Sequence, residues 1–486
     1  MKDSICVMKF GGTSLGDADC IKRVAEIISR QAQDGPVVTV VSAMSGVTDR
    51  LVRAAQQSET GDEIAFTDLA TWLLQHHVAA IQQLVKDESA RHALAEETAV
   101  VVNQATALCQ GTSLLRELTA RALDAISSVG ERLSARLVAA TLRELGVRGA
   151  AVDATELIVT DGRHGQAEPM MEETRERARS QLLPLLDAGV SPIVTGFIGA
   201  TAAGKLTTLG RGGSDYSATI LGAALDAREV IIWTDVDGVL SADPRLVLDA
   251  RTLHEISYNE AAELAFFGAK VLHPKTLRPV TDAGIAVWIR NSFAPEKAGT
   301  KITFTGSPSS SGVKAITAIN DVALVTVGGR GIVGVPDVLA KAFSATASVR
   351  ANILLVSQAS SQNDICFVVQ SSDADRTVTA LRQMFESDLS QKRVEHITAD
   401  KGVAIVAVVG ERMRGTLGIA GRTFGALGHA GVNVIAIAQG SSEYNISFLV
   451  EADATQKAVA AVHQEFKLHE LRPAEALSEV AAAEIQ

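Results

Sequence analysis

Residues 6–14, CVMKFGGTS, join a short apolar run to a glycine pair and two hydroxyl side chains. We interpret Cys6 to Phe10 as a strand that delivers Lys9 into a tight turn. Glycines let backbone amides approach a ligand closely, and a lysine beside such amides suits phosphate oxygens. The same residues also occur where glycines only turn the chain and the lysine is solvated, so this stretch alone leaves both interpretations open.

Beyond this stretch, short β-branched runs alternate with amphipathic helical segments from Ile5 to about Thr305. The alternation is typical of a mostly parallel sheet covered by helices, and it predicts an α/β domain. Further strands are predicted at Val37 to Ser42, Pro192 to Gly196 and Val230 to Thr234. Because ligands of such domains gather at the carboxyl ends of the strands, we expect a site there.

Domain boundaries follow from changes in pattern. Between Asp62 and Leu145, Leu, Ala and Val recur at three- and four-residue spacing, which predicts a helical insertion at about 62–145. The Ser/Gly-rich stretch GSPSSSG, Gly306 to Gly312, is typical of a linker. We therefore place the first domain at residues 1–305 and the linker at 306–314.

An internal repeat follows the linker. Val322 to Phe385 aligns without a gap on Val403 to Phe466, at a constant offset of 81 residues. Each copy is predicted to run strand, helix, strand, strand, helix. We place the two copies at 315–394 and 400–475, followed by an Ala/Glu-rich tail at 476–486.

Two glycine-rich motifs only approximate nucleotide-binding loops. GATAAGKL, residues 199–206, has Leu206 where a Walker A loop needs a hydroxyl side chain, and it leads into an extended run, so we predict a β-turn. Gly329, Gly331 and Gly334 match G-x-G-x-x-G, but the next predicted strand ends without an acidic residue. We interpret them as a turn in a small module.

Composition and net charge limit the classes of partner and site that this chain is expected to have. The chain has 486 residues, which favours two or three globular domains, and its net charge of −11 argues against nucleic acid or an anionic membrane. The four cysteines form no C-x-x-C pair, so they predict neither a zinc site nor a disulfide framework. No apolar run suits a signal peptide or a membrane span, and we expect a cytoplasmic protein.

Three further segments carry candidate ligand-binding residues. TTLGRGGSDYSATILGAAL, residues 207–225, places Arg211 and two glycines before a predicted helix, whose amides would face an anion. Ser214 or Asp215 could instead cap that helix, which would leave Arg211 without a role. WTDVDGVLSADPR, residues 233–245, ends a buried strand at a turn across which a nucleotide could lie. In FGAKVLHP, Lys270 could neutralise phosphate or merely complement the helix dipole.

Together these segments resemble the aspartokinases of the amino-acid kinase family. The matching motifs are KFGGTS, SAMSGVT, GERLSA, TGFIG, TTLGRGGSDYSA, WTDVDGV, DPR and FGAKVLHP. With the repeat included, the resemblance extends over nearly the whole chain. The repeat resembles the paired ferredoxin-like α+β ACT domains of aspartokinases. The resemblance implies transfer of the ATP γ-phosphoryl group to the β-carboxylate of L-aspartate with Mg²⁺, the entry step to lysine, threonine, methionine and isoleucine.

The resemblance also implies residue roles. Lys9 would stabilise the transferred phosphoryl group, Glu131 would face the substrate ammonium group, and Arg211 would pair with its α-carboxylate. Implied as catalytic are Lys9, Arg211 and Asp215. Implied as substrate-binding are Ser42, Thr48, Glu131, Arg211, Gly213 and Ser214. Implied as ATP-binding are Lys9, Gly11, Gly12, Thr13, Thr234, Asp235, Asp243, Arg245 and Lys270. No protein side chain is assigned to the metal.

Glu131 has an alternative role, and Leu240 differs from the family pattern. Glu131 could simply stabilise the predicted helix Glu131 to Leu145 through the helix dipole. Leu240 departs from the family pattern, which often has tyrosine at that position. His164 and His273 are assigned no role.

The repeat carries the candidate effector residues. Gln358 and Gln439 occupy equivalent predicted strand ends, each followed by two serines, and they could be solvated turns or an amino-acid site. The resemblance to threonine-sensitive members implies threonine as the first choice of effector and lysine as the second, with Asn352 and Asn433 also contributing. Pairing of ACT domains implies a homodimer or larger homo-oligomer. We expect a monofunctional chain, since no dehydrogenase domain follows the second copy.

Two other functions would leave different marks in the sequence. A kinase for glutamate or N-acetylglutamate would lack this combination of motifs and repeat. A non-catalytic amino-acid-sensing regulator would show damage at Lys9, Glu131, Arg211 or Asp215, and all four are present.

Overall fold

The computed structural model describes residues 5–268, 272–307, 309, 311–329, 337–358, 364–413, 415–440 and 444–470. Its contacts define two compact units. The first unit is the described part of Met1–Val239, His254–Tyr258 and Leu272–Gly306. The second unit is the described part of Leu240–Leu253, Asn259–Val271 and Ser307–Gln486. Outside the described residues lie Lys270, Gly331, Gly334, the serines after Gln358 and Gln439, and the predicted tail.

The elements follow one another along the whole chain. The strands are β1 (Cys6–Phe10), β2 (Val37–Val41), β3 (Gly149–Val152), β4 (Val159–Thr160), β5 (Ser191–Thr195), β6 (Ile198–Thr201), β7 (Leu206–Thr208), β8 (Glu229–Thr234), β9 (Glu255–Ser257), β10 (Ala286–Asn291), β11 (Thr300–Thr303), β12 (Ala315–Gly328), β13 (Leu355–Gln358), β14 (Asp364–Gln370), β15 (His396–Val409), β16 (Ala436–Ala438) and β17 (Asn445–Glu451). The α-helices are α1 (Ala18–Asp34), α2 (Val47–Glu59), α3 (Glu63–Leu84), α4 (Glu88–Leu115), α5 (Ala120–Ser127), α6 (Val129–Glu144), α7 (Met171–Asp187), α8 (Gly213–Leu225), α9 (Tyr258–Phe266), α10 (Pro274–Ala283), α11 (Asp337–Ser348), α12 (Ala374–Met384), α13 (Glu386–Ser390), α14 (Ile419–His429) and α15 (Thr455–Glu465). Short 3-10 helices are Thr13–Leu15, Ala154–Glu156, Ser371–Asp373, Glu411–Met413, Ala452–Ala454 and Leu468–Glu470. Within the described residues, no helix is long and apolar enough to cross a membrane.

The main sheet of the first unit has the order β3-β5-β2-β1-β8-β10-β11-β9. Only the β10–β11 pair is antiparallel, so the predicted mostly parallel α/β architecture is confirmed. β1 lies between β2 and β8, and the Lys9 position is in register with Val40 and Ile232. The carboxyl ends of these three strands therefore meet at one edge of the sheet.

Four consecutive helices, α3, α4, α5 and α6, lie where the helical insertion was predicted, before the sheet resumes at β3. Their apolar faces join the same core as β1 and β2; Leu73, Val102 and Leu137 are among its buried members. The predicted turn in GATAAGKL is also confirmed, because β6 and β7 pair as an antiparallel hairpin around it.

The second unit contains a six-stranded sheet of order β13-β14-β12-β15-β17-β16, whose neighbours all pair antiparallel. The first copy contributes β12, α11, β13, β14 and α12, and the second contributes β15, α14, β16, β17 and α15, as predicted. Phe367 and Phe385 belong to the core of one copy, and Phe448 and Phe466 to that of the other. The repeat thus builds two similar apolar cores.

The division into compact units does not follow the predicted boundary at residue 305. The second unit also takes in Leu240–Leu253 and residues from Asn259, which the sequence assigned to the first domain. Within that unit, the buried Lys314 Nζ donates to Glu260 Oε2 at 2.7 Å. Lys314, at the end of the predicted linker, is therefore held by packed structure, and the exact domain limits stay a prediction.

Candidate functional site

A cavity of about 540 Å³ opens at the carboxyl ends of β1, β2 and β8 in the first unit. Its lining contains glycines, hydroxyl side chains, one lysine and three carboxylates. The lining residues are Lys9, Gly11, Gly12, Thr13, Ser42, Ala43, Met44, Ser45, Gly46, Thr48, Asp49, Glu131, Phe197, Gly210, Gly212, Gly213, Ser214, Asp215 and Thr234. Most of the sequence-predicted ligand residues are brought together here.

Lys9 and Asp215 form an ion pair inside this cavity. Lys9 Nζ lies 2.6 Å from Asp215 Oδ1, and their side chains are 12% and 21% exposed. A Cβ atom at Gly11 would lie 3.3 Å from the same Nζ, so the backbone turn after β1 runs directly beside the ammonium group. Asp215 thereby fixes the cation next to backbone amides, an arrangement suited to phosphate oxygens.

Helix α8 begins at this cavity without a side-chain cap. Gly212 is its N-cap residue in the left-handed region, at φ 70°, and no described side chain accepts a capping hydrogen bond. The alternative that Ser214 or Asp215 caps the helix is therefore wrong. The Gly213 amide donates to Gly210 O at 2.9 Å, while the amides of Ser214 and Asp215 have no partner among the described residues and can face a ligand. The positive end of the helix dipole favours an anion there.

A second helix N-terminus lines the same cavity. α2 starts after Gly46, which is also left-handed at φ 76°, and again no described side chain caps it. Gly12 packs the turn after β1 against the turn after β2, because a Cβ there would lie 3.2 Å from Ala43 O. Two helix ends and a glycine turn thus surround Lys9 with positive partial charge.

Glu131 is the buried acidic group of the cavity. It lies in the first turn of α6, is 3% exposed, and its Oε1 accepts from Ala43 N at 3.2 Å. Burial raises the pKa of Glu131 to about 8. Among the described residues its Oε2 atom has no hydrogen-bond partner. A buried carboxylate oxygen without a partner is costly, and a cationic ligand group would remove that cost.

The raised pKa of Glu131 predicts how stability varies with pH. Because the folded state favours the protonated carboxyl, the contribution of this group to the free energy of unfolding is present below pH 4.5 and is lost as pH rises toward about 8. We expect Glu131→Gln to stabilise the ligand-free protein at pH 8.5 relative to wild type, and not at pH 5. Thermal denaturation at both pH values measures this. Glu63→Gln, at an exposed first-turn position of α3, is the control; equal pH profiles for wild type and Glu131→Gln would contradict the assignment.

The cavity lining also includes residues to which the sequence motifs assigned no role. Phe197, at φ 70°, lines it, and a Cβ at Gly213 would lie 2.6 Å from the Phe197 ring, so only glycine fits there. Ser45 and Asp49 line it as well. All of these lie inside or beside the motifs TGFIG and SAMSGVT, which were the only signal for them.

The remaining predicted ligand residues are placed less completely. Arg211 is exposed and is not in the cavity lining, although Gly210 and Gly212 on either side of it are. Burial lowers the pKa of His273, and the nearby charge of Arg211 lowers it further. Asp235 is exposed and accepts from Thr234 Oγ1 at 3.2 Å.

Asp243 and Arg245 belong to the second unit, where they form an ion pair at 2.6 Å. Leu240, also in that unit, forms a β-bridge with Thr252. Lys270 lies outside the described residues. The nucleotide contacts assigned to these positions stay predictions.

A buried carboxylate of the helical insertion supports one wall of the cavity. Asp124, 2% exposed in α5, accepts from Thr208 Oγ1 at 2.6 Å and from Gly165 N at 3.1 Å, and His164 Nδ1 lies 2.7 Å from it. A Cβ at Gly210 would lie 2.9 Å from Gly165 O. Asp124 therefore ties the loop before α7 to the chain segment that leads into α8.

We expect Asp124→Ala to lower the free energy of unfolding of the first unit by about 2 to 4 kcal/mol, because it leaves buried donors without an acceptor. Asp124→Asn should lose less, since its amide oxygen can still accept. Urea denaturation followed by circular dichroism measures both. Asp68→Ala, at an exposed position of α3, is the matched control. A loss for Asp124→Ala no larger than that for Asp68→Ala would contradict the supporting role.

Comparisons with known proteins identify the class. Residues 4–291 match the model of the amino acid kinase family, and residues 325–385 and 406–466 each match an ACT domain. The two ACT matches are displaced by the offset that the internal repeat predicted.

Relatives and solved structures identify the branch of that family. The bifunctional aspartokinase/homoserine dehydrogenase 1, chloroplastic, of Arabidopsis thaliana is 36% identical over 473 residues, which are 96% of this chain and 51% of the relative. Aspartokinase 1, chloroplastic, of the same plant is 34% identical over 486 residues, covering 96% of this chain and 80% of the relative. E. coli aspartokinase III in complex with aspartate and ADP has 30% identity and a TM-score of 0.77, over 95% of this chain and 99% of that one. The structure of E. coli aspartokinase III in complex with lysine and aspartate has 31% identity to this chain and a TM-score of 0.79. The match covers 95% of this chain and 99% of that one.

The chain therefore belongs to the amino acid kinase family and, within it, to the aspartokinases with tandem ACT domains. The resemblance stated from its motifs is confirmed. The chain spans about half the length of the bifunctional relatives that it matches.

Proposed function

We propose that this protein is an aspartate kinase, which transfers the γ-phosphoryl group of ATP to the β-carboxylate of L-aspartate and releases 4-phospho-L-aspartate and ADP. The observation that carries the proposal is one cavity holding both Lys9, beside a glycine turn, and the buried Glu131, whose Oε2 has no hydrogen-bond partner in the described part of the chain. Lys9 and the glycine turn beside it suit a phosphate group, and the Glu131 carboxylate suits an ammonium group. An amino acid and a nucleotide phosphate would thus meet in the same space.

At the phosphate end, Lys9 and the amides of Gly11 and Gly12 would neutralise charge on the transferred group, with the N-termini of α2 and α8 adding to this. A β-carboxylate oxygen attacks the γ-phosphorus, and the bond to the bridging oxygen of ADP breaks with its electron pair leaving on ADP. No proton has to move, because the carboxylate is already ionised. The chemistry needs positioning and positive charge, which is what the cavity offers.

ATP would enter with Mg²⁺. The polar side chains of the lining are hydroxyls, carboxylates and one lysine, without histidine or cysteine, and oxygen donors of this kind fit a hard cation. When bound with the nucleotide, Mg²⁺ supplies further neutralisation of the phosphate oxygens. The side chain of Asp49 forms no salt bridge or hydrogen bond with any described residue, while Asp215 is paired with Lys9.

At the substrate end, Glu131 would bind the ammonium group, and Ser42, Thr48, Gly213 and Ser214 would surround the rest of the amino acid. Arg211 would approach from its exposed position to pair with the α-carboxylate in two-pronged fashion. Thr234 would contact the nucleotide, and the family motifs suggest the same role for Asp235, Asp243, Arg245 and Lys270. These roles rest on the cavity and on the family motifs.

Trapping the product with hydroxylamine tests the proposal. With ATP and Mg²⁺ we expect hydroxamate from L-aspartate and none above background from succinate, which keeps both carboxylates but lacks the ammonium group. L-glutamate and N-acetyl-L-glutamate should also fail. Absence of product from aspartate, or equal rates with glutamate, would refute the assignment.

Regulation is proposed to act through the ACT pair, with threonine as the first candidate effector and lysine as the second. β13 and β16, equivalent strands of the two copies, contact each other where Ser357 Oγ donates to Ile437 O at 3.4 Å. That contact supports a shared site near Gln358 and Gln439, with the exposed Asn352 and Asn433 preceding these strands. Lysine is bound in the E. coli relative described above. Assaying the kinase with each amino acid separates the two candidates, and inhibition by neither would refute this regulation.

Assembly and location are proposed on sequence grounds. A homodimer or larger oligomer is proposed because ACT domains of this family commonly pair across subunits. A cytoplasmic location is proposed because the four cysteines are far apart in sequence and are all free thiols.

A further inference from the structure

A cluster of two histidines and a carboxylate lies in the second unit and shares no residue with the cavity. Asp249, His463 and His469 each offer one ligand atom, and these three atoms all lie within 4.8 Å of one another. His463 Nδ1 is 4.0 Å from Asp249 Oδ1, and His469 Nδ1 is 3.9 Å from Asp249 Oδ2. The residues come from α15, from the 3-10 helix after it, and from the distant segment Leu240–Leu253, so folding rather than sequence proximity assembles them.

The inner histidine is held in a fixed orientation. His463 is 1% exposed, and its Nε2 lies 2.9 Å from the hydroxyl of buried Ser241. Ser241 Oγ in turn accepts from Arg251 N at 2.9 Å, which fixes the serine. When Nε2–H donates to Ser241, the lone pair of Nδ1 is left facing Asp249, as in metal sites whose histidines are oriented by a second hydrogen bond.

The outer histidine has a buried nitrogen with no partner. His469 Nδ1 is inaccessible to solvent and has no hydrogen-bond partner among the described residues. Its distance of 3.9 Å to Asp249 exceeds a hydrogen bond. A buried polar atom left in this way calls for an explanation, and a bound ion supplies one.

We propose that Asp249, His463 and His469 bind a divalent transition-metal ion, with Zn²⁺ the best fit. Two imidazole nitrogens and one carboxylate oxygen are ligands that zinc prefers, whereas Mg²⁺ and Ca²⁺ prefer oxygen alone. Tetrahedral zinc with bonds of about 2.0–2.2 Å keeps its ligand atoms roughly 3.4 Å apart, so the cluster has to contract slightly. Asp249 and His469, with side chains 57% and 32% exposed, have room to rotate inward, and water would take the fourth position.

The ion would join Leu240–Leu253 to the end of α15 and stabilise the folded second unit by mass action. This function is separate from phosphoryl transfer, and its test does not depend on kinase activity.

Untagged, EDTA-treated protein comprising residues 1–486 is titrated with Zn²⁺ in competition with a chromophoric chelator, and Co²⁺ is added separately as an absorption probe. We expect wild type to bind one equivalent of Zn²⁺, and we expect this binding to raise the midpoint of thermal unfolding. Co²⁺ bound at the same site should show the absorption bands of tetrahedral coordination. Mg²⁺ should cause none of these changes. Asp249→Asn and His469→Gln should each weaken Zn²⁺ binding by about tenfold or more.

Both variants change partly exposed residues and leave the buried His463 in place, which limits the effect on folding. Circular dichroism tests whether the two variants fold. His92→Gln is the matched control, since the side chain of His92 on α4 is 78% exposed and lies 3.2 Å from the exposed Glu96 carboxylate. Wild type that binds no stoichiometric Zn²⁺ at micromolar concentration would overturn the proposal. So would Asp249→Asn and His469→Gln proteins that bind Zn²⁺ as tightly as His92→Gln.

Discussion

Lys9→Met is expected to lower kcat for aspartate phosphorylation by about 1,000-fold, because it removes the positive charge fixed at the transferred phosphoryl group. Lys9 Nζ is held 2.6 Å from Asp215 and directly beside the glycine turn, so no flexible neighbour can replace it without rearrangement. ADP release and hydroxamate formation measure the loss. The thermal midpoint should change little, since Lys9 lies on the cavity wall.

Lys22→Met, at an exposed position of α1, is the matched control and should retain wild-type activity. Asp215→Asn should reproduce part of the loss by releasing Lys9. An activity of Lys9→Met within tenfold of the control would refute the role of this residue.

Glu131→Gln is expected to raise KM for aspartate by about 100-fold, because the ammonium group loses its charged partner inside a buried site. KM for ATP should stay within twofold, which separates a substrate contact from a general disturbance. Steady-state kinetics with each substrate varied in turn measure both values.

The same carboxyl predicts a pH profile. The ammonium group needs ionised Glu131, and burial raises the pKa of Glu131 to about 8 in the free protein. Hence kcat/KM for aspartate should rise with pH up to about 8 and then level off, and Glu131→Gln should lose this limb. Glu63→Gln should keep the wild-type profile. A variant with wild-type KM and the same pH limb would exclude Glu131 from substrate binding.

Much of the fold could be predicted because its signals are local. The strand predicted at Cys6 to Phe10 has the same limits as β1, since a buried central strand is a continuous apolar run. The helical insertion has apolar residues at helical spacing, and the repeat is visible as direct alignment of the sequence with itself. The phosphate end of the cavity was predictable for the same reason: Lys9 and its glycines are neighbours in sequence.

The rest depends on contacts between distant residues. Asp124 and His164 are 40 residues apart, and neither belongs to a motif, yet together they support the wall of the cavity. Phe197 lines the cavity because Gly213 allows close packing, which a sequence pattern does not encode. The candidate zinc ligands carry no spacing signal in the sequence, because Asp249 and His463 meet only through packing of the second unit.

The central claim is that phosphate is transferred to the β-carboxylate of aspartate, and an isotope experiment tests it most directly. L-Aspartate labelled with ¹⁸O only in the β-carboxylate is incubated with ATP, Mg²⁺ and hydroxylamine, and the released phosphate is analysed by ³¹P NMR. Hydroxylamine attacks the acyl carbon, so the bridging oxygen leaves with phosphorus. Phosphate carrying one ¹⁸O is the predicted result; unlabelled phosphate, or label arriving only from an α-labelled substrate, would contradict the account.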